Sequence, residues 1–165
     1  MHCPAPTIML LPFFQWCETV WLGRFVVESN WLFPVIESIH LLALALLGGS
    51  ILIVDLRMLG LGLKGRDVRE IAREARPFMN VALIAMISTG LPLFLSEPTK
   101  CYYSSAFWVK MWTLAFALVF TYTIRTKTAR IEPVRDTARR QMLVGALSIA
   151  LWFTVASAGR WIGFS

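Results

Sequence analysis

The sequence predicts an all-α protein, a transmembrane four-helix bundle with an N-terminal amphipathic helix at the interface, and three observations predict it. Hydrophobic residues make up 57% of the 165 and charged residues 16%, against about 45–50% and 25% in an average soluble domain. The apolar residues gather into four runs, at 31–54, 78–96, 105–123 and 141–163. Each run is long enough to cross a hydrocarbon core of about 30 Å at about 1.5 Å per residue. The charges gather between the runs. Arg57, Lys64, Arg66, Arg69, Arg73 and Arg76 lie between the first and second, and Arg125, Lys127, Arg130, Arg135, Arg139 and Arg140 between the third and fourth. Short loops rich in Lys and Arg stay in the cytoplasm, which places both chain termini and the 97–104 loop outside. The net charge of +6 is thereby read as orientation and attraction to anionic lipid, with no nucleic-acid partner. The length leaves no room for a separate catalytic domain.

Residues 1–30 form an outer-face interfacial segment and residues 31–165 the four-helix domain. Ile8–Val27 is apolar and aromatic but interrupted by Pro12, Gln15, Glu18 and Arg24. It has neither a basic start nor a small-x-small cleavage site, which argues against a signal peptide. An interfacial helix with Phe13, Trp16, Trp21 and Phe25 in the headgroup layer fits the pattern; a fifth span is the alternative. Residues 66–76 predict a short helix running into the second span, with Arg66–Glu70 and Glu70–Arg73 pairs and Pro77 marking the junction. Three cysteines show no C-x-x-C spacing, so zinc and covalently attached haem find no support. Cys17 and Cys101 both fall on the outer side, where a disulfide would persist, with Cys3 a competing partner.

Ionisable residues inside spans are costly unless paired or used. The first span holds Glu37 and His40, with Asp55 at its inner end; the third holds Lys110 and the fourth Arg160. His40 lies about 13 Å along the first span from Trp31, and Lys110 and Arg160 fall at a similar level or nearer the outer surface. Glu37 and His40 share a helix face that continues inward through Ala43, Leu44, Leu47 and Gly48, where small residues leave space. Bundles build cofactor sites from inward side chains of facing helices, and a neutral imidazole on haem iron is a frequent case. Lys110 and Arg160 would then receive the haem propionates, and Trp108, Trp112, Trp152, Trp161 and Phe153 would supply flat walls. Structural readings stand beside each of these. His40 could hydrogen-bond Glu37 or Ser157, and Glu37, Lys110 and Arg160 could form an ion triad. Asp55 could pair with Arg57, while Gly48–Gly49–Ser50, Ala146 and Ala150 could serve close helix approach.

The stretch Trp31–Gly60, with Ser38-x-His40, Gly48–Gly49 and Asp55–Leu56–Arg57-x-x-Gly60, resembles the first span of a family of small four-helix bacterial membrane proteins of unknown function. Phe107-x-x-Lys110 is similar to the start of that family's third span. More loosely, the layout resembles b-type cytochrome membrane subunits and copper-resistance D-type membrane proteins. That looser resemblance implies His40 as a haem ligand with Lys110 a nearby cation, although bis-histidine cytochromes need a second histidine and only His2 remains. The sixth position would be empty, or filled by a group such as a Met or by another subunit. The expectation is therefore a haem b protein of the bacterial inner membrane, multi-pass with both termini periplasmic, serving electron transfer or redox sensing. His40 is the metal ligand, and Glu37, Lys110, Arg160, Gly48, Trp152 and Ser157 are cofactor-binding. The expected partners are the bilayer, a redox partner or quinone, and further copies in a homo-oligomer. The alternatives are a structural or accessory subunit and a small proton or metal transporter.

Overall fold

A computed structural model describes residues 10–62, 65–130 and 135–162, with no strand among them. Seven helices follow in order: α1 (Leu11–Glu18), α2 (Trp21–Glu28), α3 (Leu32–Met58), α4 (Val68–Ser96), α5 (Pro98–Tyr103), α6 (Ser105–Ala129) and α7 (Arg135–Ile162). α3, α4, α6 and α7 are long and apolar enough to cross a membrane. Their outward faces carry Leu42, Ile84, Trp112, Val119, Leu143 and Phe153, all exposed. A soluble bundle would turn such residues inward, so the exposed apolar jacket makes this a multi-pass membrane protein.

Local chemistry sets the ends of the helices. α3 stops at Gly60, whose φ of 76° is a conformation that suits glycine. Leu61 N–H donates to Leu56 C=O and Gly60 N–H to Arg57 C=O, the paired bonds of a Schellman cap. The Asp-Leu-Arg-x-x-Gly motif thus ends in a helix stop. α4 starts at Asp67, whose carboxylate accepts from Arg69 N–H at 3.3 Å, an N-cap. It then runs unbroken through Pro77 and Pro92 to Ser96. Pro77 is therefore no junction, and the expected short helix is the projecting first part of a 29-residue span. At about 1.5 Å per residue α4 is about 43 Å long, more than the hydrocarbon core requires, so its basic turns extend beyond it. Of the expected pairs there, Arg66–Glu70 forms at 3.0 Å, and Arg66 takes Glu74 at 2.8 Å in place of a Glu70–Arg73 pair.

α3 packs along α4, α6 along α7, and α3 against α7. Two antiparallel hairpins are thus joined through α3 and α7. The backbones of α4 and α6 come together at the last turn, Thr126–Ala129, and elsewhere side chains bridge them, at the stacked rings of Phe94 and Phe107, 5.7 Å apart, and at the Tyr122–Asn80 hydrogen bond. The core lies in two clusters, one of Val54, Met58, Val68, Ile71, Phe120, Ala129 and Val144, the other of Leu47, Ile51, Met79 and Ala82. Close helix approach occurs at Gly145, where a Cβ would stand 3.0 Å from the Asp55 carbonyl oxygen. It does not occur at Gly48 or Gly49, which have open space where a side chain would be, nor at Ala146 and Ala150, which are exposed. Those residues lie off the seam because their helix faces turn away from the neighbouring helix.

The expected N-terminal helix is two short helices broken at Thr19–Val20, neither long enough to span. α1 drives Phe14 between α4 and α6, with ring centroids 5.6 Å from Phe94, 5.2 Å from Tyr102, 6.2 Å from Phe107 and 6.1 Å from Trp108. Phe13, Trp16, Trp21 and Phe25 remain exposed. α2 lies on α4 at Gly23, where any Cβ would overlap the Leu95 carbonyl.

Candidate functional site

The bundle holds two polar constellations at different levels. Near the basic end, Asp55 and Arg125 are buried at 0% and 5% exposure. Arg125 Nε donates to Asp55 Oδ1 at 2.6 Å and its Nη2 to the Ile51 carbonyl at 3.0 Å. A π-helical turn over Thr121–Arg125 carries the guanidinium, and Ser148 stands beside the carboxylate from α7. The expected Asp55–Arg57 pair is absent. Two residues apart on a helix, these side chains diverge, and Arg57 instead donates to the Arg66 carbonyl at 2.7 Å. Trp152 belongs to this level, since its indole N–H donates to Thr121 Oγ1 at 3.1 Å.

The second constellation lies toward the other end. His40 on α3 faces α4, its Nδ1 2.8 Å from Thr89 Oγ1. Thr89 also donates its hydroxyl proton to the Ala85 carbonyl at 2.7 Å. A hydroxyl has a single proton, so the imidazole must supply the proton of the His40–Thr89 bond. Neutral His40 is then the Nδ1–H tautomer, and Nε2 carries the lone pair. Gly90 holds the ring close to the α4 backbone, because a Cβ there would stand 3.3 Å from His40 Cε1. Lys110 lies across the bundle on α6 within electrostatic reach of the imidazole. Its Nζ would be 3.5 Å from a Cβ at Gly159 of α7. Gly90 thus lets the imidazole lie close to helix backbone, while Lys110 lies beside Gly159 at ordinary contact distance.

Of the other candidates, Glu37 and Ser157 are exposed, Gly48 is half-buried, and Arg160 is exposed near the end of α7. His40 pairs with neither Glu37 nor Ser157; Thr89 takes the bond because α4 faces the imidazole at that depth. Among the described residues, Lys110 and Glu37 have no ion-pair partner, so the Glu37–Lys110–Arg160 triad does not form. Among the same residues no three of His, Cys, Asp and Glu come together as a metal-binding group. Thr89 and Arg125 were not singled out by sequence. Thr89 carried a faint signal, a hydroxyl beside Gly90 at the depth of His40.

Cys17 and Cys101 are free thiols, the first buried and the second half-buried; the expected bridge between them is absent. Cys3 lies outside the described residues. Burial pushes both thiols above the usual range, more than the Lys110 and Lys100 ammonium groups pull Cys101 down. The thiolate is the reactive form. Both should therefore alkylate slowly at pH 8 in the folded protein and faster as pH rises, as mass spectrometry after iodoacetamide treatment will measure. Rapid labelling at neutral pH would contradict the burial.

A helical membrane bundle of this form is the class the fold defines. Residues 13–165 match a family described as of unknown function, DUF6644, and the chain belongs to it. No curated protein and no solved structure matches the chain. The family match does not extend to b-type cytochromes or copper-resistance D-type proteins, so the haem reading rests on the site itself.

Proposed function

We propose that this protein is a membrane-embedded b-type haem protein that transfers electrons or senses redox state, with His40 as the axial ligand. The observation that carries the reading is the 2.8 Å contact between His40 Nδ1 and Thr89 Oγ1. With the Thr89 proton on the Ala85 carbonyl, Nδ1 donates and Nε2 keeps its lone pair, and a hydrogen bond of that kind orients a metal-binding imidazole. Lys110 is a cation within the same space and Arg160 a second at that end, and both suit propionates. The group would supply one-electron chemistry at iron. The chain's part is to hold the imidazole, fix its rotation against Gly90 and supply the cations. Gly48 would lie inward of the imidazole on the same helix, whereas Trp152, at the level of Asp55 and Arg125, and the exposed Glu37 and Ser157 stand outside the proposed site. One imidazole implies that the sixth position is open or filled by a group such as a Met or by another subunit. The basic loops support a bacterial inner-membrane location with both termini periplasmic. A redox partner or quinone and a homo-oligomeric assembly belong to the same proposal.

A structural reading has its own observation: His40 on Thr89 and Gly90 also seals α3 to α4 without any cofactor. A visible spectrum of the purified protein separates the two. The expected result is a Soret band with reduced α and β bands, lost in His40→Ala while the protein still inserts. Thr89→Val should keep the band but weaken haem retention about 10–100-fold. A colourless, metal-free protein would leave the structural reading, and copper without haem would point to transport.

A further inference from the structure

We propose that the basic end of the bundle holds one anionic phospholipid, its phosphate among the arginines between α4 and α6 and an acyl chain along the neighbouring groove. Between α4 and the last turn of α6 there is a cavity of about 360 Å³, lined by Arg69, Arg73, Arg76, Arg125 and Arg130. The first three recur at helical spacing on α4 and so share a face. Arg125 is committed to Asp55 and to the Ile51 carbonyl. The carboxylates of α4 are committed elsewhere: Arg66 takes both Glu70 and Glu74, and Asp67 caps the helix. Among the described residues, Arg69, Arg73, Arg76 and Arg130 therefore meet no carboxylate at ion-pair distance. Four exposed guanidinium groups around one concavity, with no carboxylate at ion-pair distance among the described residues, favour an anion, and the planar fork of donors suits phosphate oxygens.

The remaining wall decides what carries that phosphate. Val54, Ala72, Met79 and Ala129 line the same cavity, and a free ion gains nothing from such a surface. At Ser50 and Ala75 the cavity adjoins a second one of about 380 Å³, a largely apolar groove between α3 and α4 that includes Leu46, Gly49, Ile53 and Phe78, and one carboxylate, Glu74, which is paired with Arg66. A charged pocket continuous with an apolar groove, at the boundary of the apolar spans, has the two-part character of a phospholipid. Phe78 is exposed, and Gly49 has open space where a side chain would be, which leaves the groove clear for a chain.

Native mass spectrometry from mild detergent, with lipids of matched acyl chains added, tests the proposal. The parent protein should retain one phosphatidylglycerol per chain at least tenfold more tightly than phosphatidylcholine. The double variant Arg73→Gln/Arg76→Gln should bind phosphatidylglycerol about thirtyfold more weakly. Arg139→Gln/Arg140→Gln removes the same charge from exposed positions outside the cavity and should bind as the parent does. Gly49→Leu should weaken the lipid by filling the groove while leaving the arginines in place. Equal retention of the two lipids by the parent would overturn the proposal, whatever the variants do. Equal losses in both arginine doubles would reduce the effect to general surface charge and overturn it too. Competition by millimolar inorganic phosphate as strong as that by the lipid would assign the site to a free anion instead.

Discussion

Arg125→Met is expected to destabilise the folded bundle by about 3–5 kcal/mol, because it leaves the Asp55 carboxylate buried without a cation. A buried charge in a membrane protein has no water to fall back on, and the Ile51 carbonyl loses its donor at the same time. A thermal melt in detergent should show a fall in midpoint on the order of 10 °C. Asp55→Leu alone should cost a similar amount by stranding the guanidinium. The double variant Asp55→Leu/Arg125→Met removes both charges and should recover most of the loss, since a buried pair replaced by apolar groups is often close to neutral. A double variant destabilised by the sum of the two single losses would mean that the two residues act independently and that the pair does not tie α3 to α6.

Phe14→Ala should have the second largest effect, about 3–5 kcal/mol as for other large-to-small changes in packed cores. Phe14 is 5% exposed and its ring contacts bring residues of α4, α5 and α6 around one side chain. Removing it leaves a cavity among those helices beside the stacked rings of Phe94 and Phe107. Cys17 offers the specific readout, because it sits on the same short helix and is buried. Release of α1 should raise its alkylation rate at pH 8 by more than tenfold, whereas Cys101 should change less. If the melt shifts and Cys17 stays protected, α1 remains docked, and the loss is one of local packing alone.

The spans were legible because hydropathy and the placement of twelve basic residues act on whole segments, and α3, α4, α6 and α7 fall where the apolar runs are. Their ends were less legible. Pro77 reads as a break because it removes a hydrogen bond, yet α4 continues through it. The pairing of Asp55 was misread for a reason that is itself in the sequence. Residues two apart on a helix do not face each other, so Arg57 was the wrong cation, and Arg125 lies 70 positions away. Depth would have found it, since both residues fall near the same end of their spans and an acid in an apolar run must be answered at its own level. Thr89 escaped for a different reason. A threonine in a span commonly bonds its own preceding turn, and its bond to Ala85 looks like that until His40 is placed beside it. Glu37 shares a helix face with His40 in spacing alone, and its exposure comes from where the other helices stand, which no local pattern encodes.

The sparse seam between α4 and α6 has a mechanical meaning. The four long helices stand like a half-open book: α3 and α7 are the spine, each hairpin is a cover, and the fore-edge lies between α4 and α6. At one corner the stacked rings of Phe94 and Phe107, with Phe14 edge-on to both, join the covers, and at the other the last turn of α6 latches onto α4. The Tyr122 hydroxyl donating to Asn80 Oδ1 at 2.8 Å is a clasp between them. Parting the fore-edge breaks one hydrogen bond and separates one cluster of rings, whereas parting the spine or a cover breaks the helix pairs that enclose the core, so the book opens at its fore-edge first.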